Sequence, residues 1–224
     1  MAELVVALDL PSGRDALALA ARLPGLRWAK LGPVLYTREG PPLLREFVTR
    51  GFRVFLDLKW HDIPSVVADA VAAARELGAG MATVHTLGGP TMLAAAARAA
   101  GDLALLGVTV LTSHDTADFE RVLGRGVPDL SFEAERLARL ARDAGLRGIV
   151  ASGTELGLLR AILGPDPWIV VPGIRLAGDS PGDQRRTVTA AEAVERGATH
   201  LVVGRPITQA RDPVGAYERL LASF

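Results

Sequence analysis

The chain has 224 residues, of which 49% are hydrophobic and 22% are charged, and its formal net charge at pH 7 is zero. This length fits one large domain, and the balanced charge argues against nucleic acid or an anionic membrane as the main partner. There is no cysteine, which excludes disulfides, thiolate nucleophiles and cysteine-based metal sites.

In chain order, the sequence starts without the basic segment of a signal peptide and passes directly into an apolar strand pattern. Strand and helix patterns then alternate, and no apolar run is long enough to span a membrane, so we expect a cytoplasmic protein without membrane association. The predicted strands, all short and rich in Val, Leu and Ile, cover residues 4–9, 28–31, 53–59, 81–86, 103–111, 148–151, 168–172 and 200–203. The predicted helices cover residues 14–23, 38–50, 64–77, 91–100, 116–144, 154–163, 189–196 and 213–222, the fifth being interrupted near 126–128.

Eight strand–helix units imply parallel strands joined by right-handed crossovers. Eight such units in this length predict a (β/α)₈ TIM barrel, and no linker divides the chain, so we expect a single domain over residues 1–224. A doubly wound open sheet is the competing fold, because periodicity alone does not exclude it.

A charged segment lies at the end of the third predicted strand and in the loop after it. Alternation along that strand places Phe55, Asp57 and Lys59 on one side, and Asp62 follows in the loop just beyond. Opposite charges gathered at the end of a buried element are costly to build for stability alone. We therefore interpret this segment as the centre of a functional site.

Lysine is rare in this chain, which has 25 Lys and Arg residues in total but only two lysines, Lys30 and Lys59. Both lie at predicted strand ends. An ammonium, unlike a guanidinium, can give up a proton near neutral pH. Two lysines kept in an arginine-rich chain indicate positions where arginine would not serve.

Further polar residues also follow the predicted strands, at the end where TIM barrels carry their active sites. They are Asp9 at the end of the first strand, Lys30 at the end of the second, Thr112 and Ser113 after the fifth, and Gly204 and Arg205 after the eighth. The loops after strands seven and eight commonly bind phosphate in such barrels. We expect Arg205 to pair with a phosphate, and Gln184, in a Gly- and Pro-rich lid at 176–184, to donate to it.

With these residues in view, the chain resembles the orotidine 5′-monophosphate decarboxylase family. The most specific match is the motif Asp-x-Lys-x-x-Asp-Ile-Pro, formed by Asp57, Lys59, Asp62, Ile63 and Pro64. Weaker matches lie at residues 29–33, 84–85, 88–89, 92–93 and 172–175. The resemblance implies a TIM barrel that converts orotidine 5′-monophosphate (OMP) to UMP and CO₂, the last step of UMP biosynthesis, without cofactor or metal.

The resemblance also implies residue roles. Lys59 would stabilise and protonate the carbanion at C6 within an array completed by Asp57, Asp62 and Lys30. The nucleotide would be bound by Asp9 and Lys30 at the ribose, by Ser113 at the pyrimidine, and by Gln184, Gly204 and Arg205 at the phosphate. Arg175 would be a further substrate-binding residue.

The family further implies an obligate homodimer in which Asp62 and Ile63 enter the partner's site. Val66 departs from the family's usual threonine, which places a cross-subunit contact to the ribose in doubt. His61 and His114, near the site in sequence, are interpreted as solvated or core residues.

Two other functions stay open at this stage. The 3-keto-L-gulonate 6-phosphate decarboxylase and hexulose phosphate synthase group shares the Asp-x-Lys-x-x-Asp array, but it uses Mg²⁺ held partly by a glutamate at the end of strand two. Lys30 occupies that position here and would repel a cation. A non-catalytic nucleotide-binding barrel is the other alternative, although a pure binder has no need of a buried Asp/Lys/Asp array.

Overall fold

Eight parallel strands close into a barrel in the computed structural model, which describes residues 2–175 and 186–224. The barrel strands are β1 (Glu3–Ala7), β2 (Trp28–Leu31), β3 (Arg53–Trp60), β4 (Met81–His85), β5 (Ala104–Val108), β6 (Gly148–Val150), β7 (Trp168–Val171) and, after a short parallel pair β8 (Ile174–Arg175) and β9 (Val188–Thr189), β10 (His200–Val203). The first and last strands close the barrel, with Val5 opposite Val202. The predicted (β/α)₈ fold is confirmed, and the open-sheet alternative is wrong.

Helices separate the strands and cover the outside of the barrel. They are α1 (Gly13–Arg22), α2 (Pro33–Thr49), α3 (Pro64–Glu76), α4 (Gly89–Ala100), α5 (Thr116–Leu123), α6 (Leu130–Asp143), α7 (Leu156–Leu163), α8 (Ala190–Glu195), α9 (Arg205–Thr208) and α10 (Pro213–Leu221). Among the described residues, none of these helices is both long and apolar enough to cross a membrane.

Most predicted elements agree with the structure to within two or three residues, and the exceptions have local causes. Helix α2 begins at Pro33, five residues earlier than predicted, because Pro33 occupies its first turn, and it bends at Gly40, whose φ is +63°. The predicted fifth strand ends at Val108 rather than at residue 111. The β8–β9 pair and the one-turn helix α9 were not predicted, since elements of two to four residues carry no periodic signal.

Alternation along the strands separates an inner from an outer core. The inward residues form one cluster in the barrel, namely Val5, Ala7, Trp28, Phe55, Met81, Ala104, Leu106, Val170 and Val202. The outward residues, such as Leu4, Val6, Val54 and Leu56, pack against the helices. Asp57 and Lys59 continue the inward phase of Phe55, as predicted.

The N-terminal end of the barrel is filled by aromatic rings. Trp28 packs edge-on against Trp168, with ring centroids 6.3 Å apart, and His200 lies 4.4 Å from Trp168 and 5.8 Å from Trp28. The indole N–H of Trp28 donates to Glu3 Oε2 at 3.1 Å. Burial lowers the pKa of His200 to about 4, so this packed imidazole is neutral at pH 7.

Arg160, on α7, holds together the loops beneath the barrel. Its Nη1 donates to the carbonyls of Gly164, Pro165 and Pro167 at 2.7, 3.1 and 3.0 Å, and its Nη2 donates to Gly197 O at 2.6 Å. Prolines and glycines in these loops leave carbonyls without a partner from regular structure, and the planar guanidinium satisfies several of them at once.

We expect Arg160→Lys to lower the free energy of unfolding by about 2–4 kcal/mol, because an ammonium cannot reach four carbonyls in two loops. Urea unfolding followed by circular dichroism measures the loss. The control is Arg139→Lys, which alters only the exposed helix pair with Glu135 and should change the free energy by less than about 0.5 kcal/mol. Equal effects of both substitutions would contradict this role.

Candidate active site

A cavity of about 530 Å³ opens at the C-terminal end of the barrel. Inner-core residues such as Ala7, Phe55 and Val202 line it together with charged and polar residues from the strand ends and loops. Eight of the predicted site residues line it: Asp9, Lys30, Asp57, Lys59, Ser113, Arg175, Gly204 and Arg205. The fold therefore brings together residues that are separated by up to 196 positions in sequence.

The carboxylate of Asp57 lies between the two lysines of the chain. Lys59 Nζ lies 2.9 Å from Asp57 Oδ1 and 3.0 Å from Oδ2. Lys30 Nζ lies 3.5 Å from Asp57 Oδ2 and 3.3 Å from Asp9 Oδ1. The order Asp9, Lys30, Asp57, Lys59 alternates in sign, so each charge has an opposite neighbour.

Burial and charge oppose each other at Asp57. Burial by itself raises the pKa of this carboxyl, but the ammonium groups of Lys30 and Lys59 and the hydrogen bonds from Lys59 and Thr83 outweigh it, so the pKa lies below its ordinary value. Lys30 is only 7% exposed. A buried ammonium needs a nearby anion to stay charged, and Asp57 supplies one to both lysines.

The backbone of Lys59 is left-handed, with φ of +52°, and it is the only non-glycine residue with positive φ in the described part of the chain. For a residue with a Cβ this conformation costs about 1–2 kcal/mol. The pairing of β3 with β4 shifts register between Leu56 and Trp60, at the same place. The Lys59 N–H donates to Thr83 Oγ1 at 2.9 Å, and that hydroxyl donates to Asp57 Oδ1 at 3.0 Å.

Gly32 leaves room for the pair formed by Asp9 and Lys30. A Cβ atom at this position would lie 2.5 Å from Asp9 Oδ1 and 3.1 Å from Lys30 Nζ. Any side chain here would therefore push the carboxylate away from the ammonium. This explains physically why glycine follows the second strand.

The predicted substrate-binding residues that follow the last barrel strands line the same cavity. Arg175, at the end of β8, donates to Ile174 O at 2.8 Å, and Arg205 begins α9 directly after Gly204. Ser113 lines the cavity from the loop after β5. Gln184 and the predicted lid at 176–184 lie outside the described residues.

Asp62 and Ile63 are placed differently from the other predicted residues. The Asp62 carboxylate accepts a hydrogen bond from the Ile63 N–H at 2.6 Å. Ile63 is 62% exposed, and Val66, one turn further along α3, is 47% exposed. Neither Asp62 nor Ile63 is among the described residues that line the cavity of their own chain.

The structure adds site residues that sequence reasoning missed. Thr83 lies beside Asp57 and Lys59, and Thr208 and Gln209 line the cavity from α9 and the residue after it. Thr83 could have been found from its position on β4, because it lies two residues after the inward-facing Met81 and therefore faces the same side of the strand. Thr208 and Gln209 belong to a turn too short to give a pattern.

His85 and His61 stack beside this region, with ring centroids 5.8 Å apart. The pKa of His85 is lowered to about 4, mainly by burial and in addition by its neighbours His61, Lys59 and His114. The His85 Nδ1 accepts from the Leu87 N–H at 3.3 Å. A neutral imidazole here adds no cation to the lysine pair.

A buried ion pair joins the loops that follow β5 and β6 to the residue pair that precedes β9. Arg186 pairs with Glu155, and its Nη2 donates to the carbonyls of Val110 and Leu111 at 3.1 and 3.0 Å. Burial raises the pKa of Glu155 to about 7, although the Arg186 guanidinium favours the carboxylate. Val110 and Leu111 lead to Ser113, so the pair supports one wall of the cavity.

Arg186→Gln should lower the free energy of unfolding by about 3–5 kcal/mol, because it leaves a carboxyl buried without its cation. The double variant Arg186→Gln/Glu155→Gln should recover part of that loss. Urea unfolding measures the stability of both variants. The control is Arg121→Gln, which removes an exposed ion pair with Asp118 and should have little effect. A single variant as stable as the control would exclude the supporting role.

Comparisons with known proteins agree with the geometry. The family model described as orotidine 5′-phosphate decarboxylase / HUMPS family matches residues 2–220. Orotidine 5′-phosphate decarboxylase of Opitutus terrae is 50% identical over 229 residues, covering 99% of this chain and 98% of its own length. The protein of the same name from Nitrosospira multiformis is 48% identical over 220 residues, covering 97% and 91%.

Solved structures give the same result. The crystal structure of orotidine 5′-phosphate decarboxylase from Lactobacillus acidophilus matches with a TM-score of 0.87 and 33% identity, covering 100% of this chain and 99% of that chain. An uncharacterized conserved protein from Geobacillus kaustophilus matches with a TM-score of 0.85 and 30% identity, covering 98% and 99%. The similarity thus extends over the whole barrel.

Proposed function

Because this chain belongs to the orotidine 5′-phosphate decarboxylase / HUMPS family and is a carboxy-lyase that converts OMP to UMP, we propose that Lys59 carries out its chemistry. The observation that carries the proposal is the ammonium of Lys59, held 2.9 and 3.0 Å from the two oxygens of Asp57 at the open end of the barrel. Asp57, Lys30 and Asp62 complete the charged array, and no cofactor takes part.

Loss of CO₂ from C6 of the pyrimidine leaves an electron pair on carbon with no ordinary acceptor. A nearby ammonium stabilises that charge and can then donate its proton to C6, whereas a guanidinium holds its protons too tightly. At about 3 Å and an effective dielectric of about 20, such a contact is worth on the order of 5 kcal/mol. Most of this stabilisation arises only as charge develops, which accelerates the reaction rather than tightening substrate binding.

The substrate contacts follow from the walls of the cavity. Asp9 and Lys30 would bind the ribose hydroxyls, and Ser113 would contact the pyrimidine. Around the phosphate we place Arg175, Gly204 and Arg205, which line the same cavity as Lys59, together with Gln184. Phosphate binding far from C6 would supply energy for closing the site around the pyrimidine.

Lys30 separates this function from the metal-dependent alternative. Its ammonium lies 3.3 Å from Asp9 and 3.5 Å from Asp57, where a divalent cation would need carboxylates free of a competing charge. A lysine at this point repels Mg²⁺ and attracts a polar or anionic substrate group. We therefore assign OMP, rather than a sugar phosphate processed with Mg²⁺, as the substrate.

The active unit in this proposal is a homodimer of single-domain chains in the cytoplasm. Asp62 is exposed and is not among the described residues that line the cavity of its own chain, and the exposed apolar residues Ile63 and Val66 follow it in the chain. An apolar patch flanked by a carboxylate suits a two-fold contact in which each loop enters the partner's site. Asp62 would then complete the array around the partner's Lys59.

Lys59→Ala should lower kcat for OMP by a factor of at least about 10⁴, because both charge stabilisation and the proton donor are lost. Binding of UMP should remain within a few-fold of the unsubstituted protein. Arg205→Ala should instead weaken UMP binding by about 10–100-fold, since a charge-assisted contact to phosphate is removed. The absorbance change of OMP gives turnover, and calorimetric titration gives UMP binding.

The same assay in excess EDTA distinguishes the alternatives. Rapid conversion of OMP in EDTA fits the proposed mechanism. Activity only on a sugar phosphate, restored by Mg²⁺, would assign the chain to the metal-dependent group, and UMP binding without turnover would leave a binding protein. Near-normal turnover by Lys59→Ala would disprove the role of Lys59.

Mixing two inactive variants tests the shared site. In a heterodimer of Lys59→Ala and Asp62→Ala chains, one site keeps both residues if Asp62 acts across the interface. After random subunit exchange, about a quarter of the activity should return. Each variant alone, taken through the same exchange, is the control. No recovery, with heterodimers shown by mass spectrometry, would mean that Asp62 does not act across the interface.

A further inference from the structure

We propose that Thr83 is a positioning residue that holds Lys59 in its left-handed backbone conformation and directs its ammonium toward the reaction centre. The inference rests on the proposed role of Lys59 and extends it to a residue on the neighbouring strand. Thr83 lies on β4, is fully buried and makes hydrogen bonds to both Lys59 and Asp57.

The two hydrogen bonds of Thr83 have a defined direction. The Lys59 N–H can only donate, so the hydroxyl oxygen accepts from it at 2.9 Å. The ionised carboxylate of Asp57 can only accept, so the hydroxyl proton points to Oδ1 at 3.0 Å. A single hydroxyl satisfies both groups at once, which an aliphatic side chain of the same shape cannot do.

This hydroxyl compensates for a break in the strand pairing. Regular pairing of β3 with β4 is interrupted between Leu56 and Trp60, which removes the ladder partners that backbone groups would otherwise have. The Lys59 N–H finds its partner in the side chain of Thr83 instead. Strained backbone persists where surrounding contacts fix it, and here the fixing contact comes from β4.

The result is a closed loop of contacts around Lys59. Its backbone is tied to Asp57 through Thr83, and its Nζ contacts the same carboxylate directly at 2.9 Å. The position of the ammonium therefore depends on two contacts, one made by the Lys59 backbone N–H and one made by its Nζ. Lys30, from β2, contacts the other oxygen of Asp57 and leaves Oδ1 to Lys59 and Thr83.

Thr83→Val tests the proposal, because valine keeps the shape and removes only the hydroxyl. We expect kcat for OMP to fall at least about 30-fold, since small misplacements of a catalytic group have effects of this size. UMP affinity should stay within about threefold, and Thr83→Ser, which restores the hydroxyl, should keep kcat within about threefold. Stopped-flow turnover and calorimetric titration of UMP measure the two quantities.

Thr86→Val is the matched control. Thr86 is also a fully buried threonine at the end of β4, and its hydroxyl donates to Val108 O at 2.6 Å rather than to the charged array. This substitution should lower stability but leave kcat within about threefold. If Thr83→Val does not fold, Thr83→Ala removes the same hydroxyl with less bulk and is measured in the same way.

A pH profile separates positioning from simple support of the fold. Asp57 faces Lys59 on its own strand, Lys30 from β2 and Thr83 from β4. Without the hydroxyl, the acid limb of kcat/KM should move to higher pH in Thr83→Val and stay in place in Thr86→Val. A kcat for Thr83→Val within threefold of the unsubstituted protein, or a loss in Thr83→Ser as large as in Thr83→Val, would overturn the proposal.

Failure of the proposed function has a different signature. Normal turnover by Lys59→Ala would remove the basis for any role of Thr83. Loss of turnover in Lys59→Ala together with full activity in Thr83→Val would reject only the positioning role.

Discussion

The carboxylate of Asp57 is the interaction on which the site depends. It is buried, and it keeps its charge because the ammonium of Lys59 contacts its two oxygens at 2.9 and 3.0 Å, the ammonium of Lys30 contacts Oδ2 at 3.5 Å, and the hydroxyl of Thr83 donates to Oδ1. In return it places an anion beside both ammonium groups, including that of the buried Lys30. None of these groups would be stable there alone, so they form one unit that folds and acts together.

The barrel holds Asp57 and the two lysines close together at its open end. Its N-terminal end is filled by Trp28, Trp168 and His200, and its middle by aliphatic residues, so only the C-terminal end is open. Inward side chains from neighbouring strands meet there at short distances. A closed ring of strands also leaves no free sheet edge, and the charged groups are held on rigid elements rather than on loops.

The backbone adapts to the charges at two points. Gly32 has no side chain where one would collide with Asp9 and Lys30, and Lys59 adopts a conformation that costs about 1–2 kcal/mol for a residue with a Cβ. Local preference is violated at Lys59 because its ammonium must reach Asp57. Departures from local rules are expected where a chain serves function rather than stability.

Much of the fold and part of the site could be predicted from the sequence alone, because the sequence patterns that indicate them are local or periodic. Alternating apolar strands and helices predicted the barrel, and the Asp57, Lys59 and Asp62 spacing located the charged site. Tertiary structure decided the rest. The pairing of Lys30 with Asp57, the hydroxyl of Thr83 beside Lys59 and the Arg186–Glu155 pair join residues 24 to 31 positions apart. The pairing of neighbouring strands and the packing of the loops at their ends bring such residues into contact, and no local pattern in the chain reports contacts of that range.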